Sequence, residues 1–268
     1  MSSAPPTRFS ATKILLNRAA RRILWPSPAL YFPFGMLRGR GNVFSREAEV
    51  YISGYPRCGN TFTRAAFLLS NPGARLESHR HIPTFVLQSV KNGIPGLVLI
   101  RNPLDAAVSW AIHENESLEE ALAYWNDFYE TLLPVRSELF LARFEDVTTN
   151  FGGVMKAFNA RWGTSYVPFD HTPENAASCF QITEDDHRKP CGEIREMQVC
   201  RPSAPRRLVK EKHLQQLNQS DFLREELARA REIYQTFVHF RGEDERRSST
   251  RLVPEKAEPT VLRAEARV

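Results

Sequence analysis

Nothing in the 268-residue sequence approaches the ~20 consecutive apolar residues that a membrane-spanning helix requires. The most apolar early window, Ile14 to Trp25, is broken by Asn17, Arg18, Arg21 and Arg22 and lacks the shape of a secretory signal. The expectation is a soluble, cytoplasmic protein. Cysteine is scarce: Cys58, Cys179, Cys191 and Cys200 cannot staple a chain of this length, which predicts free thiols in a reducing compartment. Together with His187 they match no zinc-finger spacing. No repeat of solenoid period is present. Acidic residues are missing from positions 1–46, where eight basic side chains accumulate: Arg8, Lys13, Arg18, Arg21, Arg22, Arg38, Arg40 and Arg46. Such a segment is drawn to anions. It reads as a solvated basic arm, and the specific alternative is an element that binds membrane headgroups, nucleic acid or a phosphorylated ligand, with peripheral membrane contact as one such role.

What remains is ordinary globular material. At 42% hydrophobic and 25% charged, the chain can bury one sizeable core. Its length suits one large domain with modest extensions. The texture divides it into a basic N-terminal extension (1–48), an α/β domain (49–240) and a tail (241–268). The tail carries seven basic and six acidic residues and few large apolar ones, so it is expected to be disordered.

Within the α/β domain, strand-like and helix-like stretches alternate. Val50-Tyr51-Ile52 is a short β-prone run ending at Gly54, and a helical stretch begins near Asn60. Leu97 to Ile100 is a continuous apolar run of the kind found in strands buried on both faces. Asn102-Pro103-Leu104-Asp105 then reads as N-cap, proline at the first helical position and an acid in the first turn. Ser117-Leu118-Glu119-Glu120 is a capping box opening a helix to about Leu133. A third strand falls at Leu139 to Ala142, and a helix from about Phe151 to Trp162 is terminated by Gly163. This order predicts an α/β fold, a parallel sheet flanked by helices on both faces. Residues 168–208 read as irregular and polar, followed by helices over 210–218 and 221–239, the second capped by Ser220.

The loop after the first strand, Gly54-Tyr55-Pro56-Arg57-Cys58-Gly59-Asn60-Thr61, carries most of the chemical information. Two glycines five apart between a strand and a helix let backbone amides surround an anion at the helix N-terminus. The spacing is that of a nucleotide-binding P-loop, but Asn60 stands where the lysine belongs, which speaks against ATP or GTP hydrolysis. Arg57 supplies a cation inside the loop instead. Cys58 and Arg64 have the C-x5-R spacing of thiol phosphatases, leaving a thiolate-based alternative open.

Tyr55-Pro56-Arg57-Cys58-Gly59-Asn60-Thr61-Phe62 resembles the Y-P-K-S-G-T-x-W loop of sulfotransferases that use 3′-phosphoadenosine-5′-phosphosulfate (PAPS). Arg101-Asn102-Pro103-Leu104-Asp105, continuing to Ser109, resembles that family's second motif, R-N-P-x-D-x-x-x-S. The resemblance implies a P-loop NTPase-like architecture and transfer of a sulfuryl group to a hydroxyl or amine, with 3′,5′-ADP as product and no required metal. It implies that Arg57, Cys58, Gly59, Asn60, Thr61 and Phe62 hold the 5′ end and the adenine, and that Arg101 and Ser109 hold the 3′-phosphate. The departures are Arg57 for Lys, Cys58 for Ser, Asn60 for Thr and Phe62 for Trp, with Phe144 where Tyr is common.

The reaction needs a base for the acceptor's proton, and histidine suits that near neutral pH. Glu77-Ser78-His79-Arg80-His81-Ile82-Pro83 offers two. His79, in a Ser-His pair resembling the family's T-H, is preferred, and His81, in an H-x-P context, is its rival. Arg201 to Arg207 lies where the family closes a basic loop over the 3′-phosphate, with Arg206 as the chosen contact and Arg207 as its neighbour. The expected partner is a small-molecule, glycan or lipid acceptor, with no specific nucleic acid. A catalytically inactive anion- or nucleotide-binding protein is the non-enzymatic alternative.

Overall fold

The computed structural model describes residues 8–38, 44–45, 47–191 and 204–251. Two helices come first, α1 (Arg8–Leu24) and α2 (Pro28–Leu37). The alternating part follows as β1 (Val50–Gly54), α3 (Asn60–Ser70), β2 (Leu76–Ser78), α4 (Pro83–Lys91) and β3 (Gly96–Ile100). After β3 come α5 (Pro103–Glu114), α6 (Leu118–Leu132), β4 (Phe140–Arg143), α7 (Phe144–Thr149) and α8 (Phe151–Trp162). The described chain ends in α9 (Pro173–Cys191), α10 (Ala204–Leu217) and α11 (Asp221–Arg251). No helix among the described residues is long and apolar enough to cross a membrane.

The four strands form one parallel sheet in the order β2-β1-β3-β4. Right-handed crossovers then require α3 on one face and α4, α5 and α6 on the other. Strands covered on both faces must be apolar throughout, and Val50, Tyr51, Ile52, Leu97, Val98, Leu99 and Ile100 are all buried. Chain order reverses between β1 and β3. Ligands bind in such sheets in the crevice beyond the strand C-termini at this point. Gly54 pairs with Leu99 across that crevice, and a Cβ at position 54 would run into the Leu99 carbonyl oxygen.

Local signals read from the sequence are visible as bonds. Asn102 Oδ1 accepts from the Leu104 and Asp105 amides, and Ser117 Oγ accepts from the Glu120 amide at 3.2 Å. Ser220 Oγ likewise caps α11, and Gly163 ends α8 in the left-handed region at φ 65°. Three expectations need correction. The basic segment is not a solvated arm: Ile14, Trp25, Tyr31 and Phe44 are buried, and Arg18 is only 9% exposed, bonded to Asp127 of α6 and Glu226 of α11. Residues 168–208 are not wholly irregular, since α9 lies within them and α3 packs against it. The segment expected to be disordered from residue 241 is helical as far as Arg251, because the α11 backbone runs on through it. The rest of the tail lies outside the described residues.

Candidate active site

Each of the four strands delivers one part of the site from its C-terminal end. The loop after β1 turns tightly through two left-handed residues, Arg57 (φ 66°) and Gly59 (φ 91°). Glycine takes that conformation without strain, and a Cβ at 59 would also press on the Phe144 ring. Asn60 Nδ2 closes the loop by donating to the Tyr55 carbonyl at 3.0 Å, and Thr63 Oγ1 donates to the Gly59 carbonyl at 2.9 Å. The first amides of α3 have no earlier helical turn to donate to. The N-terminus therefore presents them, with the positive end of the helix dipole, to the crevice.

Arg57, Arg101, Ser109 and Arg206 meet at this crevice. Arg57 Nε donates to Ser109 Oγ at 3.2 Å, and Arg206 Nη2 donates to the same oxygen at 3.2 Å. Arg101 Nη1 donates to the Arg57 carbonyl at 3.1 Å, and its guanidinium lies 4.1 Å from the centre of the Phe144 ring. The residue after β4 thus supports the arginine after β3 through a cation–π contact. Arg206 belongs to the first turn of α10 rather than to an irregular loop. One turn later, Lys210 pairs with Asp105 at 3.0 Å. Ser109 and Asp105 are one turn apart on α5, so two rungs hold α10 antiparallel against α5. A small core including Val108, Ala111, Leu217 and Leu223 packs behind them.

The other expected site residues divide into backbone and side-chain roles. Thr61 is half-buried, with Oγ1 3.3 Å from His79 Nε2. Gly59 contributes backbone alone. Three side chains are not where the sequence reading put them. Cys58 is fully buried, its Sγ 3.6 Å from the Tyr129 hydroxyl, and burial pushes its thiol up to about 12. A thiolate nucleophile is out of reach there, which removes the C-x5-R phosphatase reading. The Asn60 side chain is spent on closing the loop and is buried rather than aimed at a ligand. Phe62 packs against Phe169, His171 and Phe180 and is 5% exposed, so its ring belongs to the α3–α9 contact rather than to an open stacking surface. Only the amides of these three residues can face an anion.

The two histidines follow β2 and differ in setting. His79 is exposed and left-handed at φ 62°, with Nδ1 3.1 Å from Ser78 Oγ. His81 is half-buried, and its Nδ1 lies 2.9 Å from the Gly54 carbonyl. A carbonyl can only accept, so His81 carries its proton on Nδ1 and keeps the Nε2 lone pair. Burial lowers the His81 pKa below its ordinary 6.5, and the Arg57 charge acts in the same direction. Tyr124 fixes the same residue by donating to its carbonyl at 2.5 Å. Sequence reasoning missed Tyr124 and Phe144's supporting role, because neither appears in a local pattern with the residue it touches. Cys179 is buried in the core with its thiol pushed up to about 11 by burial, and the side chains of His187, Cys191 and Cys200 lie outside the described residues.

No protein-family description matches the chain, and no curated protein is similar to it in sequence. Among solved structures the chain is similar to the mouse sulfotransferase SULT7A1 complexed with PAP, at 15% identity over 68% of this chain and 89% of that one, with a TM-score of 0.38. At so low a score, the functional case rests on the residues themselves.

Proposed function

We propose that the chain is a sulfotransferase that moves the sulfuryl group of PAPS to a hydroxyl or amine of an acceptor, releasing 3′,5′-ADP. The observation that carries this reading is the meeting of Arg57, Arg101 and Arg206 around Ser109. Three stretches far apart in sequence bring planar cations to one crevice beside a helix N-terminus. Guanidinium forks and such amides suit phosphate and sulfate oxygens.

In this reading the amides from Cys58 to Phe62, with Arg57, hold the 5′ end of the donor. Arg101, Ser109 and Arg206 hold its 3′-phosphate. PAPS supplies the sulfuryl group and the leaving bisphosphate. Arg57 offsets the negative charge that grows on the bridging oxygen as the S–O bond breaks. His81 suits the base role better than His79. Its Nε2 lone pair is fixed by the bond from Nδ1 to Gly54, and burial keeps it neutral and ready to take the acceptor's proton. His79, on Thr61, stands close enough to orient the same groups.

Calorimetry with 3′,5′-ADP, ATP and inorganic phosphate tests the donor site. Preference for the bisphosphate supports the proposal, and equal indifference to all three sinks it. Transfer from labelled PAPS across steroids, phenols, sugars, lipids and peptides would then identify the acceptor class.

A further inference from the structure

Helix α1 is inside out. An ordinary surface helix turns its apolar stripe to the core and its charges to water. Here the inward positions, spaced Ile14, Arg18, Arg21 and Trp25, include two arginines, Arg18 buried and Arg21 half-buried. Arg18 bonds Asp127 at 3.1 Å and Glu226 at 2.8 Å, and Arg21 bonds Glu120 at 2.5 Å. The outward face carries Leu15, Leu16 and Ile23, the last two 66% and 65% exposed. Helix α2 repeats the arrangement. Tyr31 and Gly35 are buried, while Leu30, Phe34 and Leu37, at i, i+4 and i+7, face outward, with Leu37 87% exposed. Seven of the eleven large hydrophobic side chains left exposed among the described residues lie between Leu15 and Leu37.

We infer that α1 and α2 dock this protein onto an anionic lipid bilayer, with the outward leucines and Phe34 entering the headgroup–acyl boundary. Charge selects this occupant. From Arg8 to Arg38 the chain has six basic residues and no acidic one; Arg18 and Arg21 are turned inward onto acids, and Lys13, Arg22 and Arg38 face outward. On the outer surface, Lys13 and Arg22 flank the α1 stripe, and Arg38 sits over the Phe34 ring at 4.9 Å. Exposed apolar side chains flanked by cations are the composition of helices that lie in a membrane interface, and anionic headgroups attract such cations. A second copy of the chain fits less well. A two-fold contact sets a surface against itself, which would bring the exposed Arg38 and the half-exposed ends of Lys13 and Arg22 towards their own images. The nearby acids Glu116, Glu120 and Glu130 are already paired with Lys13, Arg21 and Arg22. The docking face also adjoins the candidate site: Trp25, just after α1, packs 5.6 Å from the Tyr124 ring, whose hydroxyl bonds the His81 carbonyl. The inference does not depend on the sulfotransferase reading.

Flotation of the full-length protein with vesicles decides the matter. Wild type is expected to float with phosphatidylcholine vesicles containing about one-third phosphatidylglycerol, and much less with phosphatidylcholine alone. L16E/I23E/L37E should lose at least roughly tenfold in partitioning, with circular dichroism unchanged because these side chains are exposed. R22Q/R38Q, which leaves the apolar face intact, should lose the preference for anionic vesicles. Failure of wild type to bind either vesicle, or wild-type binding by both variants, overturns the inference. So does a wild-type dimer in sedimentation that L16E/I23E/L37E converts to monomer, because the occupant would then be a second copy.

Discussion

Arg57 Nε and Ser109 Oγ lie 3.2 Å apart, joining the loop after β1 to the helix after β3. The left-handed φ of Arg57 throws its side chain across the crevice towards α5, where the hydroxyl also accepts from Arg206. One neutral oxygen thus gathers two cations from opposite ends of the chain.

Ser109→Ala removes that shared acceptor without touching the core. Loss of a hydrogen bond to a charged group costs about 1.5 kcal/mol or more, which corresponds to roughly tenfold weaker binding of 3′,5′-ADP. Calorimetry should show this drop, while the thermal midpoint stays close to wild type. Unchanged affinity would place the anion elsewhere.

His81→Ala should lower kcat by roughly 10² to 10⁴ with little change in KM, as loss of a general base does. His79→Ala should cost less than roughly tenfold, since its ring is exposed. The pKa of His81 is held below 6.5, so kcat/KM should stay flat through neutral pH and fall only below 6.5. Stability follows the same sign. The unfolded chain binds the proton more readily, so the contribution is complete above pH 6.5 and is lost as the pH falls. Thermal midpoints of wild type should therefore decline from pH 7 to pH 5 more than those of His81→Ala.

Much of this architecture could be read in advance, and the reasons are local. Asn102, Ser117, Gly163 and Ser220 cap helices through bonds to residues two to four positions away or through a left-handed turn, and such signals survive in the sequence alone. The crevice could be placed because Gly54 to Gly59 and Arg101 to Ser109 each follow an apolar run. What stayed hidden depends on distant partners. The burial of Arg18 requires Asp127 and Glu226, more than a hundred residues away. Cys58 looked like a loop residue facing a ligand because a sequence does not say which side of a tight turn faces Tyr129. Phe62 became core because Phe169, His171 and, from α9, Phe180 pack against it, all in a stretch that read as irregular.

Arg18→Ala should be among the most damaging substitutions on the surface helices. Burial alone would raise the Glu226 carboxyl, but Arg18 and Asn126 outweigh it and hold it below the ordinary value. Removing the guanidinium leaves Glu226 with Asn126 alone and takes from Asp127 its shortest ion pair. Breaking a buried pair from one side costs about 3 kcal/mol or more, so the urea midpoint should fall clearly. A solvated arm would tolerate the change, and deletion of residues 1–25, without effect.

Gly54→Ala should prevent stable folding, since its Cβ would press on the Leu99 carbonyl inside the β1–β3 pairing, where neither strand can retreat. Soluble yield and circular dichroism check this, and a well-folded variant would show that the strands can separate.

Cys58→Ser and Cys58→Ala separate the two chemistries that the loop sequence allowed. The thiol is fully buried against Tyr129 and pushed up to about 12, so at neutral pH it is protonated and shielded. Iodoacetamide should leave it unmodified in the folded protein and alkylate it once urea unfolds the chain. Alanine should lower stability by about 1 kcal/mol through the small space left behind, yet preserve affinity for 3′,5′-ADP, because only the backbone at this position can reach the anion. A thiolate mechanism demands the reverse: rapid alkylation of the native protein, with turnover abolished by either substitution.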